Sequence, residues 1–391
     1  MKLKLNLFPV VPDMEEKIAA ILQEAGYKVG TFTSPHLHSY SERFRINGME
    51  ITQKRVAGLV GEIRPYLEAM AADGFEPPTE FEVSTALAFL YFSREKVDYL
   101  LLEVGLGGAI DSTNVAPSML SVITNVAMDH MNYLGNTIYE IARAKAGIIK
   151  PGCPVVTAAA GEGLQVIEEV CRQKDSRLTI VGSDVTWKGK TMSLKGQCFS
   201  VQGKKGSYEN LFLSLLGRHQ LINAATTIAA AEILIESGAV ISNEAIRKGL
   251  AAAQWPGRFE IIRENPLVII DGAHNYEGSR SLRLALDDYF PNRSLILMIG
   301  MLMDKERESV AAELVPRARA VVVTRPNSPR AGNWQGMAME AERYIPEVYL
   351  EEDIRKAVHK AIALAGLGEI VCITGSLYMV AEAREILLDL R

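Results

Sequence analysis

Two short apolar runs near the middle of the chain end in residues that could do chemistry. Tyr99-Leu100-Leu101-Leu102 meets Glu103 and then the turn Gly105-Leu106-Gly107-Gly108. Leu120-Ser121-Val122-Ile123 meets Thr124-Asn125 and then Asp129-His130. A carboxylate and an imidazole delivered from two strand ends can hold a hard or borderline cation between them. Lys145 follows in a segment with helical spacing, 137–149. A second pairing of the same kind, Asp271-Gly272-Ala273-His274-Asn275, closes a later apolar run. Taken singly, each residue has an ordinary reading: a solvated edge carboxylate, a packed histidine, a surface lysine. Their recurrence on strand ends beside turn sequences points to a site.

The elements that must position these residues are legible from spacing. An apolar run closed by a carboxylate and a glycine-rich turn reads as a buried parallel strand, and ligands of open α/β sheets bind at that carboxyl end. A helix is expected over 14–26, stopped by Gly26, and a strand over 27–32 that runs into the loop Thr33-Ser34-Pro35-His36-Leu37. Helical spacing continues from 52 to 72. Thr79 and Glu82 form the capping box of a further helix reaching about Lys96. Strand, helix and strand are expected over 155–180, a meander of hairpins over 181–213, and a helix from the Leu216 region to about Gly238. Trp255-Pro256-Gly257-Arg258-Phe259-Glu260 reads as a linker, giving domains 1–256 and 257–391. Beyond it, strands at Leu267–Ile270, Leu295–Ile299, 320–323, 347–350 and 370–373 alternate with helical segments, the pattern of a doubly wound parallel sheet. The fold class is therefore α/β with two domains.

Composition narrows the function. At 391 residues with 48% hydrophobic and 23% charged residues, the chain can bury two cores. A net charge of −5 argues against a nucleic-acid partner held by a basic surface. Cys153, Cys171, Cys198 and Cys372 lack metal spacing and read as buried thiols of a reducing compartment. No run approaches the ~20 apolar residues of a membrane span, and no signal-peptide core is evident, so a cytoplasmic location without membrane contact is expected. No G-x-G-x-x-G follows the first strand of the second domain, which leaves a nicotinamide dinucleotide poorly supported.

The wording of the motifs is more specific than their chemistry. Glu103-Val104-Gly105-Leu106-Gly107-Gly108, Asp111-Ser112-Thr113-Asn114, Thr124-Asn125, Asp129-His130 and Lys145-Ala146-Gly147-Ile148-Ile149-Lys150-Pro151-Gly152 closely resemble the folylpolyglutamate synthase/dihydrofolate synthase family, ATP-dependent amide ligases of the Mur ligase group. The resemblance runs from about residue 18 to 391. It implies an N-terminal ATPase domain with a parallel sheet, truncated at its start, and a Rossmann-like C-terminal domain. It makes ATP and Mg²⁺ the cofactors and L-glutamate with folate or dihydropteroate the substrates, and a monomer is expected. By the same resemblance Ser34, Glu103 and His130 hold one Mg²⁺, and Lys145, carbamylated, helps to hold a second. Ser34, Pro35, His36, Phe81, Asp111 and Ser112 fall on the folate side, while Asn223, Arg258, Asp271 and His274 go to ATP. A carbamate suits Lys145 because an ammonium 4 Å from a cation would be repelled by about 4 kcal/mol at an effective dielectric near 20.

The chain also departs from the family pattern. Arginine is expected after Gly108 and glutamate before Lys145, where this chain has Ala109 and Ala144. The family's glycine-rich phosphate loop should fall on 7–13, which reads Leu-Phe-Pro-Val-Val-Pro-Asp, with no glycine to bring amides to phosphate and no lysine. Three readings stay open: a folate-directed glutamate ligase, a catalytically impaired folate- or nucleotide-binding relative, and a Mur-group ligase for another amino acid.

Overall fold

The computed structural model describes residues 6–10 and 14–390. The chain divides into two compact units, one made of Met1–Thr191, Gln197–Ser214 and Leu221–Ala253, the other of Met192–Gly196, Leu215–Gln220 and Gln254–Arg391.

The elements up to residue 252 begin with β1 (Asn6–Val10), α1 (Glu15–Glu24), β2 (Val29–Phe32), β3 (Phe44–Ile46) and β4 (Met49–Glu50). Next come α2 (Gln53–Ala72), α3 (Glu80–Glu95), β5 (Tyr99–Glu103), β6 (Ser121–Ile123), α4 (Met131–Leu134) and α5 (Ile138–Ala146). Then follow β7 (Val155–Thr157), α6 (Gly161–Gln173), β8 (Leu178–Ile180), β9 (Thr186–Ser193), β10 (Gly196–Gln202), β11 (Ser207–Leu213), α7 (Arg218–Glu236) and α8 (Asn243–Ala252). One sheet has the order β1-β5-β2-β3-β4, a second β6-β7-β8, and a third β11-β10-β9. β5 lies between two parallel neighbours, with Val10 opposite Glu103 and Phe32 opposite Leu102. Three carboxyl ends therefore finish level, and the loop after β2 leaves beside Glu103. β3 and β4 extend this sheet antiparallel, an addition to the expected parallel core.

β1 supplies a first strand ending at Val10. The expectation of a missing phosphate loop falls on 7–13, of which Val11, Pro12 and Asp13 lie outside the described residues.

Side chains fix the helix starts. Thr52 accepts the Arg55 N–H at the head of α2, and Thr79 and Glu82 form the expected reciprocal box on α3. Thr137 and Glu140 form another box on α5. α5 stops at Ala146, short of the expected 149. The space beside Gly147 is taken by Ala109, and the Gly147 carbonyl is taken by the Asn114 amide at 3.2 Å.

The second unit carries β12 (Glu260–Glu264), β13 (Leu267–Ile270), α9 (Tyr276–Tyr289), β14 (Leu295–Ile299), α10 (Arg307–Leu314) and β15 (Ala318–Val323). It continues with α11 (Gly336–Glu342), β16 (Val348–Leu350), α12 (Ile354–Leu364), β17 (Ile370–Thr374) and α13 (Leu377–Asp389). The strand order is β12-β13-β17-β14-β15-β16, parallel except for β12. β12 was not foreseen as antiparallel; only Asn265 and Pro266 join it to β13, too few residues for a crossover. Alternate residues bury into two different cores: Leu295, Leu297 and Ile299 into one, Ile296 and Met298 into the other. Burial on both faces is why these strands read as unbroken apolar runs. At about 1.5–3 kcal/mol per buried side chain, β14 alone contributes on the order of 10 kcal/mol of gross burial. Among the described residues no helix is long and apolar enough to cross a membrane.

Candidate active site

In the first unit the site begins where β5 ends. Glu103 is only 3% exposed, and its Oε2 accepts the Ser34 main-chain N–H at 2.6 Å. That bond seats the loop after β2 on the end of β5 and leaves the Ser34 hydroxyl with no hydrogen bond to the described residues. The Ser34–Pro35 peptide is cis. Pro35 is exposed and His36 half-buried.

Further along, Glu42 gathers the loop: its carboxylate accepts the N–H groups of Leu37 (2.7 Å), His38 (2.8 Å) and Ser39 (2.7 Å). Burial by itself raises the Glu42 carboxyl, and these donors outweigh it and hold the pKa below the ordinary glutamate value. Arg43 donates from Nε to His36 Nδ1 at 3.0 Å and pairs with Glu80 at 3.2 Å. Burial, then the Arg43 charge, lowers the His36 pKa, while Glu42 and Glu80 act the other way.

The glycine-rich turn after Glu103 is pressed between functional elements. A Cβ on Gly105 would stand 2.6 Å from the tip of the Phe81 ring, which itself stacks on Phe32 at 5.9 Å. A Cβ on Gly108 would stand 2.9 Å from the carbonyls of Ala144 and Lys145. Only glycine permits either approach. Asp111 closes the turn, accepting the Leu106 N–H at 2.9 Å and the Thr113 N–H at 3.0 Å. Its carboxylate thus organises the loop, and Ser112, next to it, is half-buried. Asn114 reaches across to the carbonyls of Ala109 (3.1 Å) and Gly147 (3.2 Å), tying the turn to the end of α5.

Lys145, half-buried near the end of α5, has its ammonium pKa lowered by burial against the raising influence of Asp129. A lowered pKa leaves more of the neutral amine that could capture carbon dioxide. His130 has a left-handed backbone (φ 52°), uncommon outside glycine, and its imidazole lies 3.9 Å from the Asp129 carboxylate. Among the described residues no three His, Cys, Asp or Glu side chains form a ready-made cation cage. Asn223 is half-buried in α7, and its side chain has no hydrogen bond to the described residues.

In the second unit, Asp271 ends β13. Its two carboxylate oxygens accept the N–H groups of Phe259 and Ala273, each at 2.8 Å. His274 Nδ1 lies 2.9 Å from the Gly272 carbonyl, and the Arg258 guanidinium lies over Gly272, 2.9 Å from where a Cβ would stand. Glu260 steadies this corner, accepting the Gly257 N–H at 2.8 Å and the Arg384 guanidinium at 2.9 and 3.0 Å. Asp271, His274 and Arg258 are therefore gathered at one strand end. Ser376 caps α13 by position, but its buried hydroxyl bonds to no described group.

Sequence reasoning passed over Glu42, Arg43, Glu80, Asn114 and the Glu260–Arg384 pair. One had a readable signal: Ser39-x-x-Glu42 has capping-box spacing, and the box is present. The others act chiefly through tertiary contacts 33 to 124 residues apart, and no local pattern encodes those.

Residues 51–231 match the Mur ligase middle domain, and residues 257–377 the glutamate ligase domain of Mur ligases. The dihydrofolate synthase/folylpolyglutamate synthase of Bacillus subtilis (strain 168) is 41% identical over 371 residues, covering 94% of this chain and 86% of the relative. The folylpolyglutamate synthase of Mycobacterium tuberculosis, solved with ADP and AMPPCP, superposes with a TM-score of 0.91 at 31% identity, covering 97% of this chain and 90% of that one. The Escherichia coli FolC structure in complex with DHPP and ADP gives 0.88 at 30% identity, with 97% and 88% covered. With its two-domain α/β fold and the motifs in register, the chain belongs to the dihydrofolate synthase/folylpolyglutamate synthase family of ATP-dependent Mur ligases.

Proposed function

We propose that this chain adds L-glutamate to folate or dihydropteroate through an amide bond, using ATP. What carries the reading is the seat of the Ser34 loop on Glu103, beside a glycine turn clamped to the helix of Lys145. In the proposed sequence a substrate carboxylate oxygen attacks the γ-phosphorus of ATP, ADP leaves, and an acyl phosphate results. The glutamate amine then attacks the acyl carbon, phosphate departs, and the nitrogen loses a proton.

We assign folate-side contacts to Ser34, Pro35, His36 and Phe81. Asp111 keeps the glycine turn in shape on that side, and we place Ser112 beside it among the folate-side contacts. Nucleotide contacts go to Asn223 and, in the second unit, to Arg258, Asp271 and His274. The Arg258 guanidinium suits this because its planar fork pairs with phosphate oxygens.

The donor set fits Mg²⁺. Glu103 is a buried carboxylate with Ser34 beside it, His130 follows the next strand, and a carbamate on Lys145 would add anionic oxygen. Mg²⁺ ordinarily takes one or two carboxylates together with water and substrate phosphates rather than a complete protein cage. When bound it would neutralise charge on the transferring phosphoryl group. Lys145 as a carbamate turns a repelling cation into an attracting anion. The four free thiols are in keeping with a cytoplasmic location, and the boundary proposed between the domains remains at 256/257.

The test is ATP- and glutamate-dependent product formation with dihydropteroate and with a reduced folate, read by mass spectrometry. Glutamylated product supports the ligase. Pterin binding without any product from either substrate would favour the impaired relative instead.

A further inference from the structure

Arg43 carries a consequence beyond holding a loop. Its side chain is only 11% exposed, it lies over the Tyr40 ring at 5.1 Å, and Glu80 braces it at 3.2 Å. Glu80 is braced in turn: the Ser84 hydroxyl lies 2.8 Å from its carboxylate, and the Tyr40 hydroxyl lies 2.7 Å from Ser84 Oγ. The guanidinium is thus fixed in place and direction, and its Nε sits 3.0 Å from His36 Nδ1. An arginine in a protein keeps its protons, so Nε can only donate. His36 Nδ1 must therefore accept, and a neutral imidazole accepting at Nδ1 carries its single proton on Nε2. Protonating Nδ1 would set two N–H groups against each other. The Nε2 atom has no protein partner among the described residues. His36 also lies edge-on to Tyr40 with ring centres 6.0 Å apart, which limits rotation of the imidazole.

We propose that the loop after β2 presents the His36 Nε2–H as a fixed hydrogen-bond donor to an acceptor atom of the pterin ring, with Arg43 as the positioning residue that sets its tautomer. The proposal rests on the ligase reading for the identity of the ligand, but the tautomer does not depend on it. The role given to Arg43 is indirect: it touches the imidazole, not the substrate. A donor locked in this way favours a ring carbonyl or unprotonated ring nitrogen and disfavours a ring N–H at the same place.

The experiment uses the full chain labelled with ¹⁵N-histidine, with His36→Gln to assign its signals among the six histidines. Ring-nitrogen shifts should report His36 as neutral with the proton on Nε2. In Arg43→Met both tautomers should appear. His36→Phe should raise the KM for the pterin substrate roughly tenfold, the scale of one lost hydrogen bond, with a smaller change in kcat. His36→Gln, which keeps an N–H donor, should recover most of the loss. A wild-type His36 with its proton on Nδ1, or a tautomer unchanged in Arg43→Met, would overturn the role of Arg43. An unchanged KM in His36→Phe, with wild-type turnover intact, would overturn the donor. Absence of turnover in the wild type with the Nε2–H tautomer present would count against the ligase reading and leave the tautomer standing.

Discussion

Replacing Glu42 by glutamine removes the charge that gathers the Leu37 to Ser39 end of the loop after β2. Three main-chain N–H groups, from Leu37, His38 and Ser39, converge on that carboxylate at 2.7 to 2.8 Å. A hydrogen bond to a charged acceptor contributes about 1.5–3 kcal/mol net. Three that share one acceptor do not add, and glutamine keeps one carbonyl oxygen while turning its amide toward a donor. We expect a loss on the order of 2–3 kcal/mol in the local opening of the loop, or about 30- to 150-fold in its opening constant.

The pH dependence has a definite sign. The folded carboxyl lies below its unfolded value of about 4.3, so the stabilisation is complete above that value and is lost as pH falls through the folded pKa. Native-state hydrogen exchange at Leu37, His38 and Ser39 reads this directly. Protection in the variant should be lower at neutral pH, and the gap to wild type should close in acid. Unchanged protection at pH 7, or a gap that does not shrink at all as pH is lowered to the limit at which the fold persists, would refute the reasoning.

Lys145→Arg keeps the cation but cannot form a carbamate; turnover should fall on the order of a thousandfold. In the wild type, ¹³C-bicarbonate should give a carbamate signal that grows as pH rises through the lowered lysine pKa; normal turnover in the arginine variant would end that assignment. Gly105→Ala forces a methyl to 2.6 Å from the Phe81 ring and should cost about 1–3 kcal/mol in urea unfolding of the first unit, partly relieved by Phe81→Leu. A variant as stable as wild type would mean that the ring yields freely. Ala109 and Ala144, where the family pattern has arginine and glutamate, are joined by a main-chain hydrogen bond of 2.9 Å. Ala109→Arg and Ala144→Glu should therefore stabilise together more than separately, by about 0.5 kcal/mol in a double-mutant cycle; zero coupling would show that the two side chains do not meet.

Strands buried on both faces were the most legible part of the fold. Leu267–Ile270 and Leu295–Ile299 appear with the bounds their apolar runs suggest, because burial on two sides leaves no polar position to blur them. Capping boxes were equally plain, since Thr79 and Glu82 act within three residues of each other. The site was legible only in part. Glu103 and Lys145 stand on elements that sequence places well, yet the contact between Glu103 and Ser34 spans 69 residues. The bonds of Asp111 to its own turn were hidden for another reason: an aspartate that organises its turn and one that meets a ligand look alike in a motif. β12 shows the same limit at the level of topology, because direction followed from the shortness of a turn rather than from the strand's composition.

The closeness of Phe81 to Gly105 gives the molecule a built-in spectroscopic label. A glycine has two α-protons, and the one lying in the Cβ direction at Gly105 points at the tip of the aromatic ring. The ring's magnetic anisotropy must separate that proton's resonance from its geminal partner. Any ligand that moves Phe81 will change the splitting, and one that leaves the ring in place will not. A single glycine signal, observed without a dye or a mutation, would therefore distinguish occupation of this loop from binding elsewhere on the chain.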